Sequence, residues 1–254
     1  MIVGIGAARL DERIRASIQS VSGRVKVRCY TSAHGAVEEF PGEIVRSERP
    51  WEEMIADLLS GTIDAAVRGS LPANETLKAL KEKTGRDHLA RIALLETAGG
   101  IRFLLAPVGV DEGWTVAEKL ELIGKAKEIA VRFGINPKVA VLSGGRLGDA
   151  GRHPVVDRTL ADAELVARLA GADHPGILIE EAVQDHGIII SPDGISGNLV
   201  FRTLVFLGGG KGHGAPVVNI DRIFVDTSRA TADYSNAILM AAALSNTKIP
   251  SKID

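Results

Sequence analysis

The chain has 254 residues, 45% of them apolar and 24% charged, ordinary values for a globular protein. Its 30 Lys and Arg stand against 32 Asp and Glu, so no chain-wide basic field draws it to nucleic acid or to an anionic membrane. Aromatic residues make up only 4%, which argues against base-stacking surfaces, and the one cysteine, Cys29, cannot form an intrachain disulfide or a zinc or iron–sulfur site. The length allows one large domain or two modest ones, and the 28 glycines ask for an explanation.

Strand-like and helix-like patterns alternate, which predicts an α/β fold with a largely parallel sheet. A strand over 1–5 is followed by a helix over 10–20, a strand over 25–30, and a short helix over 51–59 stopped by Ser60-Gly61. A buried-type strand over 63–67 precedes a helix over 74–83 that ends at Gly85. Consecutive strands over 91–96 and 101–106 turn at Ala98-Gly99-Gly100. Thr115 and Glu118 form a capping-box pattern at the head of a helix over 116–133, whose apolar face carries Val116, Leu120, Ile123 and Ala130. Gly134 and Pro137 stop it. Then come a strand over 138–142, a Gly-rich loop over 143–151, a helix over 161–170, a strand over 187–191 and a helix over 198–207. A second Gly-rich loop over 208–214, a strand over 222–225 and a helix over 233–244 complete the pattern.

No long linker interrupts the chain. The run over 106–113 is the best crossing point between two lobes, placing 1–114 and 215–254 in one and 115–214 in the other, with the active cleft between them. The N-terminus turns charged by Arg9, so no signal peptide is expected, and the apolar run over 237–244 is far shorter than the about 20 residues of a membrane span. The expected location is the cytoplasm, with no membrane and no nucleic-acid partner.

Several segments invite a chemical reading. Gly4-Ile5-Gly6 follows a strand, but no acid ends the next strand to hold a ribose, so a tight strand–helix turn is the simpler account. The segment over 208–214 resembles a phosphate loop, yet no Ser or Thr follows Lys211 and it follows a helix rather than a strand. The six histidines are scattered, with no i, i+4 pair, and no metal site is expected; Asp185-His186 is at most an acid–base pair in a surface turn. Three loops after strands are stronger. Ser143-Gly144-Gly145-Arg146 begins a loop whose glycines let backbone N–H groups approach an anion, with Arg146 and Arg152 able to fork onto its oxygens. The turn Asp193-Gly194-Ile195-Ser196-Gly197-Asn198 precedes a helix that Ser196 or Asn198 could cap, aiming N–H groups at an anion. Asp226-Thr227-Ser228-Arg229 gathers hydroxyls and an arginine ahead of Asp233.

These loops, in this order, resemble the phosphate acetyl/butyryltransferase superfamily. The likeness starts at Ala117-Glu118-Lys119-Leu120 and runs through Phe133-Gly134-Ile135-Asn136-Pro137-Lys138-Val139-Ala140 to Ser143. Pro192-Asp193 with Gly197-Asn198 is similar to that group's PD-x-x-x-GN turn, and to the DGFTGN turn of the phosphate acyltransferases of phospholipid synthesis. The run over 225–229 is similar to its V-N-D-L-S-R-G loop. The resemblance covers roughly 60–245, and the loop after Ser143 together with the length resembles one branch, the methyltransferase-related MtxX family of methanogenic archaea (methanogenesis marker protein 4). It implies a two-lobed α/β/α fold of the isocitrate/isopropylmalate dehydrogenase type and a homodimer.

By that resemblance Ser228 and Arg229 match a catalytic serine and a phosphate-binding arginine, Ser143 a substrate-loop serine, and Asn198 a site-lining asparagine. The group's aspartate, six residues past the arginine, is Ser235 here, with Asp233 two residues nearer; inside a helix that shift turns a side chain by about 200°. The expectation is a transferase of the phosphate acyltransferase type. Ser228, Arg229 and Asp233 are its catalytic candidates. Ser143, Gly144, Gly145, Arg146, Asp193, Gly197 and Asn198 are its candidates for binding a phosphate or acyl-phosphate ligand, with coenzyme A as co-substrate and no other cofactor. The alternative is a non-catalytic ligand-binding or accessory protein associated with methyl transfer in methanogenesis. An oxidative decarboxylase of the same fold would need clustered metal-binding aspartates, which the loops do not offer.

Overall fold

The computed structural model describes residues 1–34 and 39–246. The chain forms two compact units, residues 1–87 with the segment from Gly214 onward, and residues 88–213. The first unit opens with β1 (Ile2–Ala7), α1 (Glu12–Val21), β2 (Lys26–Thr31), β3 (Glu43–Arg46), α2 (Pro50–Ser60), β4 (Ala65–Val67) and α3 (Ala73–Thr84). The second contains β5 (Ala93–Glu96), β6 (Arg102–Ala106), α4 (Val116–Phe133), β7 (Val139–Leu142), α5 (Pro154–Ala170) and β8 (Asp173–Gly176). It continues through α6 (Ile179–Asp185), β9 (Ile188–Ile190), α7 (Gly194–Phe206) and β10 (Lys211–Gly212). The chain then returns to the first unit with β11 (Ala215–Pro216), β12 (Ile223–Asp226) and α8 (Ser235–Ser245).

The first sheet has the order β11-β12-β4-β1-β2-β3, parallel except for β11 against β12. The chain moves from β1 to one side and later to the other, so the strand order reverses between β1 and β4. The second sheet, β10-β5-β6-β9-β7-β8, is parallel from β6 onward, with an antiparallel edge made by β10, β5 and β6. Both units are α/β with mostly parallel sheets, the fold class expected from the alternating pattern. The strands are short and apolar because helices cover both of their faces: Ile188, Ile189 and Ile190 are all fully buried, as are Val3 and Ile5.

Local chemistry sets the helix ends. Asp11 caps α1 through Ile14 N, at 3.0 Å. Thr115 and Glu118 make the reciprocal capping box of α4, and Gly134, at φ 65°, ends it. α5 starts at Pro154, earlier than the expected 161, because His153 caps it and Pro is favoured at the first helical position. α7 starts at Gly194 rather than 198, because Asp193 is its cap. β3, β8, α6, β10 and β11 carry too few residues or too irregular a pattern to be foreseen.

The crossing between units lies at residues 87–88 rather than within 106–113. β5 and β6 form a hairpin, and β6 pairs with β9, so residues 88–114 belong with the second unit and not with the first lobe as expected. The return falls at 213–214, one residue from the expected place.

The first turn of α7 lies directly on the loop after β6. A Cβ added to Gly194 would stand 1.5 Å from Gly109 O, and one added to Gly197 would stand 1.9 Å from Pro107 O. Gly194→Ala should therefore lower the unfolding free energy by about 1–3 kcal/mol or more. Gly148→Ala, which meets nothing within 4 Å, should change it by less than about 0.5 kcal/mol. Urea unfolding of the two variants decides the point; equal midpoints would contradict the close approach.

Candidate functional site

Ligands of open α/β sheets bind at the carboxyl ends of the strands, next to the point where strand order reverses. In the first unit the neighbouring strands β12, β4 and β1 end at one edge. Arg68, just past β4, forms a buried ion pair with Asp226, the last residue of β12, and its Nη1 donates to Leu71 O at 2.7 Å. Asp226 Oδ1 accepts from Thr227 N at 2.8 Å, and Thr227 Oγ1 donates to Gly69 O at 2.9 Å. Ser70 N donates to Gly6 O, and Ser70 Oγ accepts from Ala8 N, both at 3.0 Å. Gly69 has φ +60°, and a Cβ there would meet Gly6 O at 2.0 Å, so only glycine fits. The Gly4-Ile5-Gly6 segment is therefore not the expected strand–helix turn: all three residues lie within β1, where a Cβ on Gly6 would meet Leu71 and Arg68 O.

Ser228 and Arg229 extend from this fixed backbone. Ser228 Oγ accepts from Ala230 N at 3.2 Å, and Ser228 O accepts from Thr231 N at 3.1 Å. Arg13 Nη1 donates to Arg229 O at 3.0 Å. The Arg229 side chain itself is exposed and makes no hydrogen bond or ion pair with any described residue. A guanidinium on a fixed backbone, with its donors unspent, is suited to an oxyanion.

Asp233 lies ahead of α8, which begins at Ser235 and not at 233. The rotation expected inside a helix therefore does not apply. Its Oδ1 accepts from Ser235 N at 2.8 Å and from Ser17 Oγ at 3.1 Å, and its Oδ2 accepts from Ser235 Oγ at 2.6 Å. Desolvation pushes the carboxyl up, but the hydrogen bonds from Ser235 and Ser17 outweigh it and hold it below the ordinary aspartate value. A carboxylate and the Ser235 hydroxyl thus stand together where the acyltransferase pattern has its aspartate.

In the second unit β6, β9 and β7 are neighbours, so the loops over 107–113, 191–198 and 143–152 share one edge. This brings Ser143, Gly144, Gly145 and Arg146 to the same edge as Asp193, Gly197 and Asn198. Asp193 Oδ1 caps α7 through Ser196 N at 2.8 Å; Ser196 and Asn198, the expected caps, lie inside the helix. Asn198 Nδ2 donates to Val108 O at 2.9 Å, and Ser191 Oγ contacts Pro107 O at 3.0 Å. Glu112 holds that loop from within. It accepts from Arg91 Nε at 2.5 Å, Arg91 N at 3.1 Å and Gly109 N at 3.2 Å. Burial pushes its carboxyl up, partly offset by Arg91.

Ser143 is 1% exposed. Its Oγ contacts Gly145 O at 2.8 Å and His174 Nε2 at 2.9 Å, while His174 Nδ1 contacts Glu164 Oε2 at 3.1 Å. This Glu–His–Ser chain locks the start of the Gly-rich loop; the buried hydroxyl is a fixed element of the loop rather than an exposed nucleophile. Arg152 is spent on Asp149 at 2.5 Å, whereas the Arg146 guanidinium makes no hydrogen bond or ion pair with any described residue. His174 lies on β8, which has no alternating pattern, and Glu164 is an exposed acid on α5 with no motif around it, so neither stands out in the sequence. The acid–base pair that Asp185-His186 offered beside the favoured surface turn does not form: His186 Nε2 contacts Asp173 Oδ2 at 2.8 Å. Lys211, in the second Gly-rich segment, pairs with Glu96 at 3.1 Å, so its charge is already met. Among the described residues no group of three or more His, Cys, Asp or Glu is arranged to hold a metal, and no helix is long and apolar enough to cross a membrane.

The lowered Asp233 carboxyl makes a pH prediction. A depressed value adds stability above the unfolded value of about 3.9, and that stability is lost as pH falls through the folded value. Asp233→Asn should therefore be less stable than the parent at pH 7, and the gap should close below about pH 4. Unfolding curves at a series of pH values test this; a gap independent of pH would contradict it.

No protein-family model matches the chain. It is 49% identical over 209 residues to a protein named methyltransferase mtx subunit X from Methanosarcina barkeri, covering 80% of this chain and 77% of that one. The Methanosarcina acetivorans protein of the same name is 51% identical over 209 residues, covering 80% and 74%. An uncharacterized methyltransferase of Methanopyrus kandleri is 40% identical over 248 residues, covering 92% and 93%. Among solved structures the chain is similar to a branched-chain phosphotransacylase from Enterococcus faecalis, with TM-score 0.76 at 20% identity over 98% of this chain and 100% of that one. It is also similar to a phosphotransacetylase from Staphylococcus aureus, with TM-score 0.69 at 15% identity over 96% and 94%. Isocitrate dehydrogenase from Methylococcus capsulatus shares the fold more loosely, at TM-score 0.56 and 15% identity over 96% and 84%. With the fold of the phosphotransacylases and about half of the 209 aligned residues shared with the Methanosarcina proteins, the chain belongs to the methyltransferase mtx subunit X family.

Proposed function

We propose that the chain is a phosphotransacylase-like transferase that binds a phosphate or acyl-phosphate ligand. The observation that carries this reading is Arg229: an exposed guanidinium with no partner among the described residues, at the carboxyl ends of three neighbouring parallel strands. Its loop is anchored by the Arg68–Asp226 pair, so the cation is held in place without being neutralised. Ser228 supplies a hydroxyl beside it. In the second unit the Gly144-Gly145 backbone and the unpaired Arg146 offer a further anion-binding edge, and Asn198 and Gly197 fix α7 beneath it.

In acyl transfer to coenzyme A the thiol sulfur would attack the acyl carbon, the bond to phosphate would break, and the thiol proton would pass to a base. Arg229 would take up charge on the departing phosphate. The Asp233 carboxylate, through or beside the Ser235 hydroxyl, is the basic group nearest to that role in the first unit. The exposed apolar side chains of α7, with Ile195 at 47% and Leu199 at 61% exposure, suit a homodimer.

A second reading rests on Ser235. Because a serine occupies the aspartate position and Asp233 is already held by three hydrogen bonds, the chain could bind such a ligand without turning it over, as an accessory protein in methyl transfer. Two measurements separate the readings. Inorganic phosphate should bind in titration calorimetry, and Arg229→Ala should weaken it about 10-fold or more, since a charge-assisted contact is worth roughly 1.5–3 kcal/mol. Formation of a coenzyme A thioester from acetyl phosphate would favour the transferase; phosphate binding without turnover would favour the accessory role. No binding at all would end both.

A further inference from the structure

α4 packs its apolar stripe inward through Leu122, Ile123, Ala126, Ile129 and Ala130. At the head of the same stripe, where i, i+3, i+4 and i+7 spacing asks for an apolar residue, stands Lys119, only 3% exposed. Its side chain makes no hydrogen bond or ion pair with any described residue. Asp162, Asp193 and Glu118 attract it from nearby, but each is committed to other donors. Asp162 accepts from Arg158 Nε at 3.1 and 3.0 Å, Asp193 from Ser196 N at 2.8 Å, and Glu118 from Trp114 N at 2.7 Å and Thr115 N at 3.2 Å. Burial pulls the lysine below its ordinary value.

The buried part is the aliphatic stem: the ammonium has no partner among the described residues yet is not sealed from solvent, so an incoming anion can reach it. A lysine stem held in an apolar stripe is a departure from the helix's own pattern that core packing does not explain. Its place narrows what it serves. α4 leaves the loop that follows β6, and Asp193 opens the turn that follows β9, so Lys119 belongs to the strand-end edge that carries Arg146 and the N-terminus of α7. We propose that Lys119 is an anion-binding residue of the second unit, whose ammonium receives an oxyanion of the ligand. This deepens the reading above and rests on its oxyanion; phosphoryl and carboxylate groups share the required chemistry.

The test uses the intact chain with lysine-selective 13C labelling, titrated with inorganic phosphate in one arm and acetate in the other. The Lys119 Cε resonance, assigned by its loss in Lys119→Met, should shift and saturate in at least one arm. Lys119→Met should bind that anion at least 10-fold more weakly, Lys119→Arg should keep part of the affinity, and Lys119→Met without ligand should melt at the same temperature as the parent or higher. A shift with acetate alone would assign a carboxylate and remove the phosphate reading of Arg229 while leaving Lys119 in place. Phosphate binding that is lost in Arg229→Ala but leaves the Lys119 resonance unmoved would overturn the proposal for Lys119 and leave that for Arg229 standing. A Lys119→Met variant that melts lower and binds anions like the parent would make the lysine structural. Absence of binding in both arms would overturn both readings.

Discussion

The buried ion pair between Arg68 and Asp226 is the constraint on which the first unit depends. Its partners lie 158 residues apart, on either side of the whole second unit. β12 can join β4 only after the chain has left, built another sheet and come back. Two buried charges are tolerable only when each is satisfied, and removing one partner of such a pair typically costs about 3–5 kcal/mol. Here Arg68 also reaches Leu71 O, and Asp226 also accepts from Thr227 N. The pair therefore registers the returning strand and sets the backbone from which Ser228 and Arg229 project. A neutral contact would bury apolar area at a similar place, but it would not fix the direction of the loop.

Glu112 does the corresponding work in the second unit. Its carboxylate gathers three donors from Arg91 and Gly109, and its carbonyl accepts from Gly194 N at 3.0 Å. The loop so held meets the first turn of α7 at distances that leave no room for a side chain. Part of the high glycine count follows from this requirement. Gly6 and Gly69 let the end of β1 touch the turn after β4, and Gly194 and Gly197 let α7 sit on its loop. Others, such as Gly148, meet no such obstacle and leave the loop after β7 its reach.

The fold class was legible because parallel strands covered on both faces are written as short apolar runs, and because Thr115, Glu118 and Gly134 mark the ends of α4 without help from tertiary structure. The edges of the units were not. The hairpin of β5 and β6 looks the same whether it joins the sheet before it or the one after it; only its pairing with β9 decides. For the candidate residues, the motifs located the right loops but not the state of each side chain. Asp193 turned out to be a helix cap, Arg152 a partner of Asp149, and Lys211 a partner of Glu96. His174 and Lys119 carried no pattern that would separate them from a strand residue and a surface lysine.

What distinguishes the candidate residues is therefore less which motif they belong to than whether their hydrogen-bonding capacity is already used. A folded chain pairs its buried polar groups, since an unmet donor away from water is costly. The buried Ser143 obeys that rule within the protein, and the half-buried Asn198 and Asp193 and the exposed Asp233 also spend their polar atoms there and act as the frame. Arg229 and Arg146 keep their charge in water, and Lys119 sinks its stem into the apolar stripe while its ammonium stays open to solvent. An exposed unpaired arginine costs the fold nothing, so its presence alone says little; a lysine whose stem occupies an apolar stripe gives up rotamer freedom and apolar packing there. The two kinds of cation occur at the carboxyl ends of strands, where parallel α/β sheets gather ligands, and the frame around them is built from carboxylates that face inward to backbone and hydroxyl donors. Arg68, Arg91, Arg152 and Lys211 are spent on the same frame; that, among the described residues, three cations at these edges, Arg229, Arg146 and Lys119, are left over from it is the physical basis for reading both units as oxyanion binders.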